Sequence, residues 1–226
     1  MNKLLTAVIA ASVLVIATPA NAAVPPTPPP SDFNAGAVNR FFPIVPNTTN
    51  KFEGAIDGVP AREVFTVTNN TKVIQGVTTN VIRDSLFLHK EKGRGFYLAE
   101  FTLDWYATAN DGTVWYFGED TTEYDESGAV LSTDGSWQAG VNGAKAGVFM
   151  AATPVIGEVI QQESAFDAQD LFKVVAIRPD SIVTHEWTPL EPGLVTKKVF
   201  KANVGMTVED TIKGAAIEDL LLTLDD

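Results

Sequence analysis

The chain has 226 residues, of which 16 are basic and 28 acidic, and its net charge at neutral pH is −12. This acidic balance argues against binding to nucleic acids or to anionic lipid surfaces, because both require a basic patch. Cysteine is absent. Its absence excludes cysteine-linked lipid anchors, thiolate zinc sites, iron–sulfur clusters and disulfide bonds.

Residues 1–22 have the three parts of a cleavable export signal. Lys3 supplies a positive charge, an apolar stretch follows from Leu4 to Ile16, and Pro19 precedes the small-x-small site Ala20-Asn21-Ala22. The apolar stretch is shorter than the roughly 20 residues that span a bilayer. The sequence therefore predicts export to the periplasm or the medium, without membrane insertion after signal cleavage.

Residues 23–39 begin with the proline-rich run AVPPTPPPSD and are interpreted as a spacer with extended backbone. Residues 40–226 are then expected to form a single β-rich domain, which starts near the apolar cluster Phe41-Phe42-Pro43-Ile44. A chain of this length is sufficient for one domain with a hydrophobic core.

Alternation of apolar and polar residues predicts antiparallel strands along most of this domain. Glu63–Thr68 is the first such run, and Asn69-Asn70-Thr71 is expected to be a turn after it. Phe96–Ala107 is the strongest run, and Asn110-Asp111-Gly112 is a hairpin turn signal before the return strand Thr113–Gly118. Further strands are expected within residues 154–176 and 181–200.

Short strands at near-regular spacing predict an all-β or mostly β fold, an antiparallel meander that forms a barrel or a strongly curved half-barrel. Residues 208–222 are ambiguous. A short C-terminal helix and a pair of terminal strands both fit this segment, whose helical spacing comes from Ile212, Ala215, Ala216, Leu220 and Leu221.

Aromatic residues are concentrated around the Asn110-Asp111-Gly112 turn, and two more tryptophans follow. Alternation places Trp105 and Tyr106 on opposite faces of a strand, so part of the set must belong to the core. The remainder either packs as well or lines a cavity for an apolar or planar ligand, such as a lipid, a glycan or a hydrophobic small molecule. The candidate ligand-binding residues are Trp105, Tyr106, Trp115, Tyr116, Trp137 and Trp187.

The run DWYATANDGTVWYFGEDTTEYDESGAVLSTDGSWQAGVNGAKAGVFM and the later THEWTPLEPGLV resemble a family of uncharacterised secreted bacterial proteins with a DWYA, DGxVWYFGED and EWTPLEPG pattern. The resemblance covers residues from about Phe41 to Phe200. It implies an exported β-rich domain and supplies no activity or catalytic residues. After Thr196 the chain departs from the family, because the tyrosine-rich strand expected there is missing.

Acidic residues cluster in the second half of the aromatic hairpin. Their carboxylates are suitable oxygen ligands for calcium or another hard cation, although their spacing does not match an EF-hand loop. A solvated acidic hairpin end is the alternative. The candidate cation ligands are Glu119, Asp120, Glu123 and Asp125.

A less favoured reading pairs Glu119 and Glu123 with Asp104 or Glu186 for acid/base hydrolysis of an extracellular polymer. No nucleophile elbow, Walker loop or dinucleotide fingerprint occurs in the sequence. The sequence therefore favours a non-enzymatic binding or accessory protein that takes a small apolar ligand or a cation. No cofactor other than calcium is indicated.

Overall fold

Strands dominate the computed structural model, which describes residues 24–214 and 218–223. Strand accounts for 57% of the structure, and helix is almost absent. No stretch of the described residues forms a helix long and apolar enough to cross a membrane. The predicted export signal lies outside the described residues.

A short 3-10 helix (Pro30–Phe33) precedes the strands. The strands are β1 (Thr49–Ile56), β2 (Val59–Ile74), β3 (Val77–His89), β4 (Phe96–Thr108), β5 (Val114–Tyr124), β6 (Val130–Ser132), β7 (Trp137–Gln138), β8 (Lys145–Met150), β9 (Val159–Gln161), β10 (Glu163–Ser164), β11 (Leu171–Ile177), β12 (Ser181–Trp187), β13 (Val195–Lys201), β14 (Gly205–Lys213) and β15 (Glu218–Thr223).

Antiparallel pairing of neighbouring strands forms a nearly closed barrel. Strands β1 to β5 form one meander, β11 to β15 form a second, and β15 pairs with β1 to join them. The edge of β5 that does not face β4 pairs with three short strands, β8, β7 and β6, at successive positions. The predicted all-β meander forming a barrel is confirmed.

The two ends of the sheet meet in one stretch of chain, residues 159–164. Strand β9 pairs with β11, strand β10 pairs with β8, and only Gln162 separates β9 from β10. At this seam a Cβ on Gly147 of β8 would lie 2.1 Å from the carbonyl oxygen of Gln162. Glycine is therefore needed for the close approach of the two backbones.

Tight turns of the expected chemistry join the strands of the first meander. Gln75 and Gly76 connect β2 to β3 with φ values of 49° and 82°, as a type I′ hairpin turn requires. In the predicted Asn110-Asp111-Gly112 turn, Asp111 Oδ1 accepts a 2.8 Å hydrogen bond from the Thr113 N–H, and Gly112 has a φ of 93°.

One local prediction is wrong. Asn69-Asn70-Thr71 is not a turn, because β2 continues through it with an irregularity in the pairing to β3 between Val67 and Thr71. Buried Val67 and Ile74 on either side hold the strand in place, so the extra polar residues are accommodated as a bulge. Of the two alternatives left open for residues 208–222, the described part of the segment has the terminal strands, β14 and β15.

The segment interpreted as a spacer packs against the barrel along residues 30–39. The ring of Phe33 meets the ring of Phe117 edge-on at 5.7 Å between centroids. Asn110 Oδ1 accepts hydrogen bonds from the Asn34 and Ala35 N–H groups at 3.1 and 2.8 Å. This part of the N-terminal segment is therefore anchored to the barrel.

Asn39 fixes the point at which this segment enters the barrel. Its side chain is 3% exposed, and its Nδ2 donates to the carbonyl oxygens of Gly112 and Ala151 at 2.8 and 3.1 Å. Its Oδ1 accepts from the N–H groups of Phe41 and Phe42 at 2.9 and 3.1 Å. These four bonds place the Phe42 ring inside the barrel, among the buried aromatic residues of the main core.

Candidate functional site

The barrel encloses a cavity of about 390 Å³. This volume lies within the range of small-molecule sites. The exposed residues Val45, Thr48 and Val204 are part of its lining, so the cavity reaches the surface between the segment before β1 and the β13–β14 turn. Asn50 Nδ2 in β1 donates to the Val204 carbonyl oxygen at 3.3 Å beside this mouth.

One wall of the cavity is aromatic. Tyr106 and Tyr116 stack with their centroids 4.4 Å apart and their planes 12° from parallel. Phe149 meets Tyr106 edge-on at 4.9 Å, and Phe42 lies 4.4 Å from Phe149. Phe52 and Phe65 extend the same lining. Such rings offer a large rigid surface to an apolar or planar molecule.

The cavity is also acidic, because carboxylic side chains lie on the same inner face of the barrel as the aromatic rings. Strand alternation places Glu63 beside Phe65 on β2 and Asp104 beside Tyr106 on β4, so acids and rings face the same space. Seven carboxylic side chains line the cavity: Glu63, Asp84, Asp104, Glu163, Asp170, Glu186 and Glu209.

Lys198 is the one basic side chain in this lining, as far as the structure describes it. Its Nζ lies 3.2 Å from Glu186 and 3.0 Å from Glu209. Burial alone would lower the pKa of Lys198, but these two carboxylates outweigh that effect and hold it well above its ordinary value. Lys198 is therefore a charged lysine already engaged by two of the seven acids.

Glu63 and Asp84 form a hydrogen-bonded pair of acids. Burial, and next the adjacent Asp84, raise the pKa of Glu63 well above its ordinary value. Burial raises the pKa of Asp84 to about 7, although the hydrogen bond from Glu63 opposes this. Asp84 Oδ1 is buried and has no hydrogen-bond partner among the described residues. Both carboxyls thus keep their protons to a higher pH than ordinary acids, and Asp84 Oδ1 is an acceptor without a partner among the described residues.

A second acid group adjoins the stacked tyrosines. The Tyr116 hydroxyl donates a 2.6 Å hydrogen bond to Asp104, yet burial still raises the pKa of Asp104 to about 7. Glu119 lies across from Asp104 in the β4–β5 pairing, and burial with the Asp104 charge raises its pKa to about 9. Burial and Asp170 likewise raise the pKa of Glu163.

Of the six aromatic residues predicted for ligand binding, Tyr106 and Tyr116 line the cavity. Trp137 contacts Tyr116 edge-on at 5.3 Å but borders a separate pocket near Phe166. Trp105 is buried on the other face of β4, where Lys72 Nζ lies 3.1 Å from the ring centroid. Trp115 is buried away from the cavity, and Trp187 is half-buried outside its lining.

The four predicted cation ligands are spread over the hairpin. Glu119 turns inward towards Asp104, whereas the next residue, Asp120, is exposed. Glu123 is exposed too, and Asp125 accepts hydrogen bonds from Ser127 and Ala129 that lower its pKa. Within the described residues, no group of three or more potential ligands has a metal-binding arrangement. Of the predicted acid/base candidates, Asp104 and Glu186 both line the cavity.

Most of the acidic residues that line the cavity were not predicted from the sequence. Glu63, Asp84, Glu163 and Glu209 are separated by up to 146 positions in the chain, and the barrel alone brings them together. The sequence of β2 carries a signal that could have identified one of these acids. Glu63 has Phe65 and Val67 on its face of β2, and an acid on an apolar face indicates an interior polar group.

Comparison with known proteins finds no matching family model, no similar curated protein and no similar solved structure.

Proposed function

We propose that the chain is an exported binding protein that holds a small ligand with an apolar or planar body inside the barrel. The observation that carries the proposal is the aromatic-lined cavity of about 390 Å³ inside the barrel. Protein interiors normally contain few voids larger than a water molecule. A cavity of this size beside stacked rings therefore supports ligand uptake rather than packing.

The energetics are sufficient for binding. Covering about 200 Å² of apolar ligand and wall surface contributes roughly 5 kcal/mol at ~25 cal/mol per Å². Tyr106 and Tyr116 are buried, and the partly buried Phe149 packs edge-on against Tyr106. Because their neighbours position these rings, little side-chain entropy is lost on binding. The mouth at Val45 and Val204 gives a ligand of this kind a route to the cavity.

A neutral fluorescent probe, N-phenyl-1-naphthylamine, tests the binding proposal. We expect its emission to rise and shift to the blue with the wild-type protein. Val204→Trp at the mouth should weaken binding about tenfold, or ~1.4 kcal/mol. Val130→Trp is the matched control, because Val130 is 60% exposed and does not line the cavity. Equal binding by both variants, or no binding by the wild type, would contradict the proposal.

Export is tested separately by N-terminal sequencing of the protein from the organism that makes it. Cleavage of the predicted signal gives a chain that begins at Ala23, in the periplasm or the medium. A chain that still begins at Met1 in the cytosolic fraction would remove the exported part of the proposal. Native mass spectrometry of the same material shows whether a ligand accompanies the protein.

A further inference from the structure

We infer that the ligand of this cavity is an organic cation, an ammonium group carried on a small apolar or planar body. The inference rests on the proposed function, since it names the chemical class for the same site. The aromatic wall accounts for the body of the ligand, and the acidic wall accounts for its charge.

The charge balance of the lining favours a cation. Seven acids and one lysine face the cavity, and Glu186 and Glu209 are within ion-pair distance of that lysine. The other five acids, Glu63, Asp84, Asp104, Glu163 and Asp170, have no basic side chain among the described lining residues other than Lys198. An anion placed here would meet repulsion from those acids that are ionised, in a medium that screens charge poorly.

A specific acceptor is available for the ammonium group. Asp84 Oδ1 is buried beside the cavity and lacks a hydrogen-bond partner among the described residues. A buried acceptor without a partner destabilises the protein. An ammonium N–H that reaches Asp84 would satisfy this acceptor and would favour the ionised form of Asp84.

Aromatic rings strengthen the case for an organic cation over a metal ion. Tyr106 and Phe149 border the same space as Asp104 and Glu163. A ring face attracts an ammonium group and supplies apolar contact to its substituents, whereas calcium requires oxygen ligands on most sides. The cavity is also far larger than a metal ion.

Binding of a cation should compete with protonation of the acids. Burial raises the pKa of both Asp84 and Asp104 to about 7, so both are mostly protonated at pH 5.5 and mostly ionised at pH 8. The titratable and charged groups that interact with these two acids are Glu63, Glu100, Tyr106, Tyr116, Glu119, Glu163 and Lys198. Cation affinity should therefore increase with pH, and binding should release protons.

Calorimetry with three indole compounds of similar size tests the inference at pH 8: tryptamine is a cation, tryptophol is neutral and indole-3-propionate is an anion. We expect tryptamine to bind at least about tenfold more tightly than tryptophol, and indole-3-propionate to bind most weakly. Tryptamine affinity should fall about tenfold at pH 5.5. Tryptamine titrations near pH 7, where Asp84 and Asp104 are partly protonated, should give different heats in Tris and in phosphate, because the buffer takes up the released protons.

Asp84→Asn tests the named acceptor. It should weaken tryptamine binding at pH 8 about tenfold and change tryptophol binding less than twofold. Exposed Asp134 lies outside the cavity lining, so Asp134→Asn is the control and should change neither. A merely structural role for Asp84 would weaken both ligands together and would overturn the assignment of this acceptor.

The outcomes separate the inference from the proposed function. If tryptophol or N-phenyl-1-naphthylamine binds and tryptamine binds no better than tryptophol, the cavity is a binding site and the cation inference is overturned. If no aromatic probe binds, the proposed function and the cation inference are both overturned. If calcium alone binds and stabilises the protein, the site is for a metal ion and the inference is also overturned.

Discussion

Replacing Asp84 by asparagine should stabilise the ligand-free protein above neutral pH. The carboxyl of Asp84 has its pKa raised by burial from 3.8 to about 7, which means that the folded state holds its proton where the unfolded state has lost it. The sign follows from this difference. The contribution of Asp84 to the free energy of unfolding is fully present below pH 3.8. It decreases as the pH rises from 3.8 towards 7, because in this range the folded protein binds more protons than the unfolded chain.

The size of the effect follows from the same two values. A shift of about 3 pKa units corresponds to roughly 4 kcal/mol, which is the largest destabilisation that an ionised Asp84 causes above pH 7. Asparagine has nearly the same shape, carries no charge and can still accept the hydrogen bond of protonated Glu63. At pH 8 the variant should thus be more stable by up to about 4 kcal/mol, and below pH 4 the two proteins should be equal.

Urea unfolding followed by tryptophan fluorescence between pH 3.5 and pH 8.5 measures this difference. Asp134→Asn, at an exposed aspartate, should change the free energy of unfolding by less than about 0.5 kcal/mol at every pH. The reasoning is refuted if wild-type stability rises from pH 4 to pH 7 in step with the Asp84→Asn variant. A variant that is less stable than the wild type at pH 8 refutes it as well.

Three further changes test the fold around the cavity. Asn39→Ala removes four buried hydrogen bonds and should lower the free energy of unfolding by about 3 kcal/mol, as measured by urea denaturation. Gly147→Ala places a Cβ 2.1 Å from the Gln162 oxygen at the seam and should lower the melting temperature strongly, whereas Ala146→Gly next to it should cost only about 1 kcal/mol or slightly more. Tyr116→Phe removes the donor to Asp104 and should destabilise the protein by about 1–3 kcal/mol at pH 8 and by less at pH 5, where Asp104 is protonated.

Local sequence patterns predicted the strands well because strand formation depends on alternation, which is visible within a few residues. The β4–β5 hairpin is an example: the Asn110-Asp111-Gly112 turn and the runs on both sides of it appear where expected. The same method failed at Asn69-Asn70-Thr71. Turn-forming residues there are held within a long strand by neighbours on both sides, and this is a tertiary effect.

The cavity could be predicted only in part. Tyr106 and Tyr116 were expected near a ligand and do line it, but the tryptophans that shared their pattern pack elsewhere. In β4 both faces carry apolar residues, so alternation alone did not show which face is inside. The acids of the lining come from strands distributed over the whole chain. These acids come together only because the barrel closes, and local sequence patterns do not show how it closes.

The distribution of buried groups shows how the barrel can hold so many acids. The main core of apolar residues includes Phe117, Phe172 and Phe200, which are almost fully buried. A second, small apolar cluster lies around Phe52 and Leu220, where β1 pairs with β15. Packing in these regions can offset the cost of ionising acids in the cavity. A barrel built only for stability would have apolar side chains in place of Asp84 and Asp104, because uncompensated buried acids are destabilising. Their presence beside an open, ring-lined space is expected if the missing compensation is supplied by a bound cation.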